Sequence, residues 1–517
     1  MTSHLPLLLL ILDGWGIAPP SPGNPIPLAA PKTYEHLVHT YPVAQLRASG
    51  SAVGLPPKQV GNSEAGHMNL GAGRIVEQDA LRINKEIASG LFFRNPAFLE
   101  ALSFCAKHRS RLHLIGLLTG EESGHAFPSH LTSLLKLARH NGDPPVLLHL
   151  FTDGRDTAKF AAVELCEALE KHLGKNQRIA TVVGRLWGMD RAKRWSRTER
   201  AYDALTQGRG RRMPSAVSAI LAAYKRSESD EFLLPTVIGA SPAKVREGRV
   251  HDDDAVILFN LRSDRARQLT KAFVQEKFEA MNPGAFKRRK VFTALRFVAM
   301  TDFGPDLPRV VTAYPSTDLD GTLVHALGDL RQLYIAESEK FAHITFFFNG
   351  GHAAAVAGEE RIVVPSYDVD SFDTAPEMAT PEITRRILRR IAAGTNDVIV
   401  ANFANADMVA HTGNIAAGIR AVQTIDQALA KLVPAILTKR GTMVITADHG
   451  NIEAMVNRKS GEVDTEHNAS PVPFIVIGPK NIHFAPRGIL ADVAPTILRI
   501  LERTPPKAMT GHSLLRT

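Results

Sequence analysis

The sequence predicts an α/β protein of two domains, and three observations carry that prediction. At 517 residues the chain exceeds what one ordinary hydrophobic core serves. Short, continuous apolar runs alternate with helix-length stretches, the pattern of parallel strands covered by helices on both faces. Those runs end in acidic, basic and imidazole side chains, at the strand ends where open α/β sheets bind ligands.

Composition narrows the function classes. Hydrophobic residues make up 44% and charged residues 22%, the balance of a globular protein. The formal net charge is +9, yet the densest basic run is only Lys287-Arg288-Arg289-Lys290, which reads as a solvated loop or helix end. The excess suits a small anionic substrate better than nucleic acid. Cys105 and Cys166 cannot build a disulfide framework and fit a reducing, cytoplasmic compartment. Leu5 to Leu12 is too short to span a bilayer and lacks the flanks of a signal peptide, so no membrane partner is expected.

Taken in order, Leu7 to Leu12 reads as a central strand buried on both faces, ending at Asp13-Gly14-Trp15-Gly16. Asp13 there is either a ligand or part of an Asp-Gly turn. Pro19 to Pro31 holds six prolines and reads as loop. Val60-Gly61-Asn62-Ser63-Glu64-Ala65-Gly66-His67 then opens a helix, with Asn62 or Ser63 at its N-cap. A helix N-terminus favours anions. Ser63 is therefore either an ordinary cap residue or a nucleophile beside a bound phosphate, and these eight residues leave both readings open.

Between about residues 80 and 310 the expected strands are Leu112–Leu118, Val146–Phe151, Ile179–Val183, Val256–Asn260 and Val291–Val298. Arg155 and Asp156 follow one of them, Arg185 and Arg191 another, Arg262 and Arg265 a third. One arginine past a strand end is ordinary; five imply a pocket for a small polyanion, because guanidinium forks match phosphate and carboxylate oxygens two at a time. Thr301 to Ser316 reads as a linker. Beyond it, strands are expected at His343–Phe348, Val398–Phe403, Met443–Thr446 and Phe474–Ile477, and an amphipathic helix at Ile415–Leu437.

The last third holds the strongest chemistry. Asp407 and His411 stand at i, i+4 and share a face if helical. Asp448-His449 follows an expected strand, and His467 sits in a loop. With Asp13 these make three carboxylates and three imidazoles without cysteine, a set suited to a borderline divalent ion such as manganese or zinc. Two ions fit: one on Asp407, His411 and His467, the other on Asp13, Asp448 and His449 with Ser63 as a fourth ligand. Such a pair clamps both oxygens of an in-line displacement and activates a serine hydroxyl.

These motifs, together with Phe151-Thr152-Asp153-Gly154-Arg155-Asp156-Thr157, Met189-Asp190-Arg191, Phe259 to Arg265, Glu337-Ser338-Glu339-Lys340, Phe346 to Gly351 and Ala401 to Asp407, closely resemble the cofactor-independent (2,3-bisphosphoglycerate-independent) phosphoglycerate mutases of the alkaline phosphatase superfamily. The resemblance implies a discontinuous phosphatase-like metal-binding domain, residues 1–78 and 312–517, with a transferase or substrate domain, residues 79–311, inserted into it. It implies interconversion of 3-phosphoglycerate and 2-phosphoglycerate through a phosphoserine at Ser63, two divalent ions (manganese first; zinc, cobalt or magnesium as alternatives), and a monomer. By position, His125, Arg155, Asp156, Arg185, Arg191, Arg262, Arg265 and Lys340 match the family's substrate-binding residues. Asp156 matches its candidate general base or acid, and Lys340 would contact the phosphoryl group near Ser63. One loop departs from the family pattern: Thr119 to Phe127 is a residue longer and carries two extra acids, Glu121 and Glu122, where an anionic substrate would suffer from them.

Overall fold

The computed structural model describes residues 6–516 apart from 305, 308, 317, 458–459 and 479–482. Leu5 at the head of the first apolar run, and Pro305 and Pro308 in the expected linker, lie outside the described residues. The fold is α/β, and the chain divides into two compact units: Met1–Gln78 with Thr317–Thr517, and Asp79–Ser316.

The first unit is built on an eight-stranded sheet. Its centre is the Leu7–Leu12 strand, every residue of which is buried, paired in parallel with Val398–Phe403 on one side and Thr442–Thr446 on the other. Gln332–Glu337 and Glu360–Val364 extend the sheet in parallel beyond Val398–Phe403. Past Thr442–Thr446 come Val472–Ile477, antiparallel to both neighbours, then Val43–Arg47 and Arg487–Ile489. A strand buried on both faces gains about 1.5–3 kcal/mol per large side chain, which is why these runs are apolar without alternation. The Ile415–Thr438 helix buries Val422, Ile425, Leu429, Leu432 and Ile436 on one face, as its spacing predicts.

The second unit has its own eight-stranded sheet, in the order Val310–Tyr314, Arg296–Thr301, Ala255–Leu258, Leu112–Leu118, Val146–Thr152, Gln177–Gly184, Thr236–Ile238, Arg211–Met213. All neighbours are parallel except Gln177–Gly184 with Thr236–Ile238. A core separate from that of the first unit surrounds it.

Several expectations need correction. His343–Phe348 is not a strand: His343–Phe347 is one π-helical turn, with buried Ile344 and Phe348 four residues apart on one side. A short apolar run has no periodicity that separates strand from buried helix, and helical spacing wins here. Val310–Tyr314, inside the expected linker, is a sheet strand. The strand expected from Val291 begins only at Arg296, because Thr293 and Ala294 spend their N–H groups on the Asp252 carboxylate and Phe292 stacks on Phe273. Pro19–Pro31 contains a helical turn at Pro25–Leu28, capped by Asn24 and opened by the pre-set φ of Pro25. Lys287–Lys290 is not wholly solvated: Arg288 is buried over the Phe278 ring and donates to the carbonyls of Ala272, Gln275 and Glu276.

Candidate active site

The carboxyl ends of four adjacent parallel strands in the first unit deliver one cluster. Lys340 follows Gln332–Glu337, Asp407 follows Val398–Phe403, Asp13 follows Leu7–Leu12, and Asp448 with His449 follows Thr442–Thr446. Ser63 arrives at the first position of the Ser63–Ala72 helix, and Asn62 is its cap, accepting from the Ala65 N–H at 2.9 Å. The chain passes so close at Gly14 that a Cβ there would lie 2.8 Å from the Asp407 Cα, and its φ of +72° is one that other residues rarely adopt.

The Lys340 ammonium donates to Asp13 Oδ1 at 2.7 Å, Ser63 Oγ at 2.8 Å and Asp407 Oδ2 at 2.6 Å. Burial alone would lower its pKa, but the Asp13 and Asp407 carboxylates outweigh it and hold the proton firmly. Asp13 is pushed up to about 6, first by burial and then by the neighbouring Asp448 carboxylate. Three buried carboxylates thus face a single ammonium, and more positive charge is called for.

The donor spacing fits divalent ions. His411 Nε2 and His467 Nε2 lie 3.3 and 3.2 Å from Asp407 Oδ1 and 3.1 Å from each other. Ser63 Oγ lies 3.3 Å from Asp13 Oδ1 and 3.0 Å from His449 Nε2, which is 3.6 Å from Asp13 Oδ1 and 3.4 Å from Asp448 Oδ2. An ion with tetrahedral bonds of about 2.0–2.2 Å holds its ligand atoms roughly 3.3–3.6 Å apart. Asp448 Oδ2 is fully buried, with the His67 and His449 ring nitrogens 3.2 and 3.4 Å away, and keeps acceptor capacity that a cation would fill.

The structure therefore brings together Asp13, Ser63, Lys340, Asp407, His411, Asp448, His449 and His467. It adds residues that sequence reasoning missed. His67 is fully buried, with Nδ1 3.2 Å from Asp448 Oδ2 and Nε2 3.0 Å from Asn402 Nδ2. Burial opposes its protonation, but Asp448 raises its pKa on balance. Asn402 and Asn451 donate to Asp13 Oδ2 and Asp407 Oδ1 at 2.7 and 2.8 Å. His67 stands one helical turn after Ser63, a spacing already used for Asp407 and His411, so it was legible.

In the second unit the strand ends collect the other predicted residues. Arg155, Arg185, Arg191 and Arg265 line a cleft of about 180 Å³. Arg185 is buried, 2.5 Å from Asp153 Oδ1 and 3.0 Å from Asp156 Oδ1. Arg265 falls to about 10, through burial and then the neighbouring charges of Arg191 and Arg185; a bound anion would offset that crowding. His125 is held neutral, its pKa lowered to about 3 by burial, then by Arg262 and Arg185, and its Nδ1 has no hydrogen bond. Burial would raise Asp156, but Arg185 outweighs it and keeps the carboxyl ionised. In the departing loop Glu121 and Glu122 are exposed, while Ser123 and His125 are buried. Ser123, not singled out from sequence, donates to Asp156 Oδ2 at 2.6 Å and accepts from the His125 N–H at 3.1 Å.

Comparison with known proteins agrees with this chemistry. The model of the metalloenzyme superfamily matches residues 5–504. The 2,3-bisphosphoglycerate-independent phosphoglycerate mutase of Chloroflexus aggregans is 45% identical over 100% of this chain and 99% of its own length. That of Methanosarcina barkeri is also 45% identical, over 99% and 98%. A Leishmania mexicana phosphoglycerate mutase structure, solved at low cobalt concentration, superposes with a TM-score of 0.82 at 30% identity, covering 99% of this chain and 98% of that one. The chain is an enzyme of the 2,3-bisphosphoglycerate-independent phosphoglycerate mutase family, within the metalloenzyme superfamily.

Proposed function

We propose that this enzyme interconverts 3-phosphoglycerate and 2-phosphoglycerate through a phosphoserine at Ser63, using metal and nucleophile from the first unit and substrate-positioning groups from the second. The observation that carries the reading is the setting of the Ser63 hydroxyl, buried at a helix N-terminus among Asp13, His449 and Lys340. Divalent ions, manganese for preference, would be held by Asp407, His411 and His467 and by Asp13, Ser63, Asp448 and His449; they would supply a more acidic serine hydroxyl and counter-charge for the phosphoryl group.

The protein's own groups do the rest. Ser63 enters and leaves the cycle as the alkoxide, with Lys340 donating to it; its Oγ attacks phosphorus, and the bond from phosphorus to the glycerate oxygen breaks. Lys340, already aimed at Ser63 Oγ, donates to the phosphoryl oxygens as they arrive. The Asp156 carboxylate, ionised beside Arg185 and held by Ser123, takes the proton from one glycerate hydroxyl and returns it to the other. Arg155, Arg185, Arg191 and Arg265 of the cleft, with Arg262 beside His125, grip the carboxylate and phosphate oxygens, and the neutral imidazole of His125 donates from Nδ1–H to a substrate oxygen. That grip retains glycerate while the second hydroxyl comes round to attack the phosphoserine, which separates a mutase from a hydrolase. His67 keeps Asp448 in place. A monomer in the cytoplasm belongs to the same proposal, and the two buried free thiols support a reducing compartment.

The test is formation of 2-phosphoglycerate from 3-phosphoglycerate without added bisphosphoglycerate, after chelation and readdition of metal. Activity should vanish on chelation and return with manganese better than with magnesium, and Ser63→Ala should be inactive while folded. Free phosphate without 2-phosphoglycerate, or turnover by Ser63→Ala, would overturn the proposal.

A further inference from the structure

A second set of metal-type donors gathers in the first unit and shares no residue with the Ser63 cluster. Asp320, His325 and His352 each present one ligand atom, all within 4.8 Å of one another. His325 Nε2 and His352 Nε2 both lie 3.8 Å from Asp320 Oδ1, and the two rings meet edge to face with centroids 5.2 Å apart. Tetrahedral bonds of about 2.0–2.1 Å put ligand atoms about 3.3–3.4 Å apart, so each imidazole has about half an ångström to close on Asp320.

The far side of each imidazole is equally telling. His325 Nδ1 lies 2.8 Å from the buried Thr322 hydroxyl, and His352 Nδ1 lies 3.5 Å from Asp318 Oδ2. Metal-ligating histidines hold their second nitrogen on an oxygen, which fixes ring and tautomer; His325 does so on Thr322, His352 faces the Asp318 carboxylate, and both turn Nε2 toward Asp320. His352 Nε2 also lies 3.3 Å from the Leu319 carbonyl, a contact that an ion would share or displace.

The backbone arranges these donors without help from an ion. The Leu319 N–H donates to Gly350 O at 2.7 Å, and the Arg74 guanidinium donates to Asp320 O at 3.2 Å. Gly350, with φ of +86°, is the residue this approach demands, since a Cβ there would fall 2.7 Å from Leu319 O.

We propose that Asp320, His325 and His352 form an accessory site for a zinc-class divalent cation, with Asp318 and Thr322 orienting the two imidazoles. Two imidazoles and one carboxylate favour a borderline ion over magnesium or calcium, with water as the fourth ligand. Such an ion ties the 318–320 segment, the Leu323–Ala326 turn and the loop after Gly350 into one cross-linked patch.

The experiment is equilibrium dialysis of the full chain against micromolar zinc, with total metal per chain counted for wild type and for His325→Ala/His352→Ala. The variant should hold one equivalent fewer, and Asp318→Asn should weaken that equivalent about 10–100-fold. The difference between chains reads the site, so the outcome stands whatever the Ser63 cluster holds. Equal metal content in the two chains, with both folded by circular dichroism, overturns the proposal. If the double variant does not fold, His352→Gln gives the same reading, with loss expected and equality overturning.

Discussion

Lys340 is the residue on which the charge balance of the Ser63 cluster turns. It is 4% exposed and touches Asp13, Asp407 and Ser63 at once. Removing one partner of a buried charged set costs about 3–5 kcal/mol, because the charges left behind are uncompensated. Lys340→Met keeps the volume and deletes the charge. The metal-free variant should lose stability of that order in denaturant unfolding, manganese should restore part of it, and turnover should fall by about 10²–10³. A metal-free variant as stable as wild type would show that the carboxylates do not depend on the ammonium. The sequence exposed this cluster's carboxylates and all its imidazoles but the loop residue His467 because they cap apolar runs or share a helix face. His67 carried the same signal, one helical turn after Ser63, whereas Ser123 lay hidden inside a loop, where nothing but the folded neighbours marks it.

At the level of elements, adjacent strands of the second unit carry a buried relay. Asp254 Oδ2 accepts from His113 Nε2 at 3.1 Å, His113 Nδ1 meets His149 Nε2 at 2.9 Å, and His149 Nδ1 meets Thr181 Oγ1 at 3.0 Å. With both imidazoles neutral, an order of hydrogens running from Thr181 through His149 and His113 to Asp254 satisfies all four groups. Burial holds both pKa values below the ordinary 6.5, and burial lowers His130 in the same unit to about 4. Below pH 6.5 the unfolded chain therefore binds more protons than the folded one, and stability falls as pH drops. Each such histidine adds up to about 1.4 kcal/mol per pH unit to the slope. Denaturant midpoints measured from pH 7.5 to 5 should show it, and His149→Met should reduce the slope by about one proton's worth; an unchanged slope would sink the assignment. Elements differed in how plainly they could be read. Leu112–Leu118 and Val398–Phe403 lie buried on both faces, so their apolar runs mark them end to end. Gln332–Glu337 escaped notice because buried Gln332 and Glu337 interrupt the apolar pattern at its two ends: Gln332 donates to the Val324 and Leu327 carbonyls, and Glu337 accepts from the distant Ser366 hydroxyl and Ala379 N–H.

At the scale of the molecule, each unit carries its own sheet and its own core, the condition for folding alone. Residues 79–316 expressed by themselves should unfold cooperatively by circular dichroism, gain thermal stability with 3-phosphoglycerate, and show no turnover. An unstructured fragment would mean that this core depends on the rest of the chain. The first unit has no such freedom, since its central strand lies between partners at Val398–Phe403 and Thr442–Thr446. A ribosome adds about 5–20 residues each second, so some 430 residues separate Leu12 from the end of its second partner by roughly 20–90 s. Throughout that wait the most apolar segment of the chain has an unpaired backbone, while the inserted unit has everything it needs to finish first. Protease treatment of ribosome-bound chains halted near residue 350 should spare 79–316 and cut on its N-terminal side. The position of one six-residue strand thus sets how long the newborn first unit waits before its sheet can close.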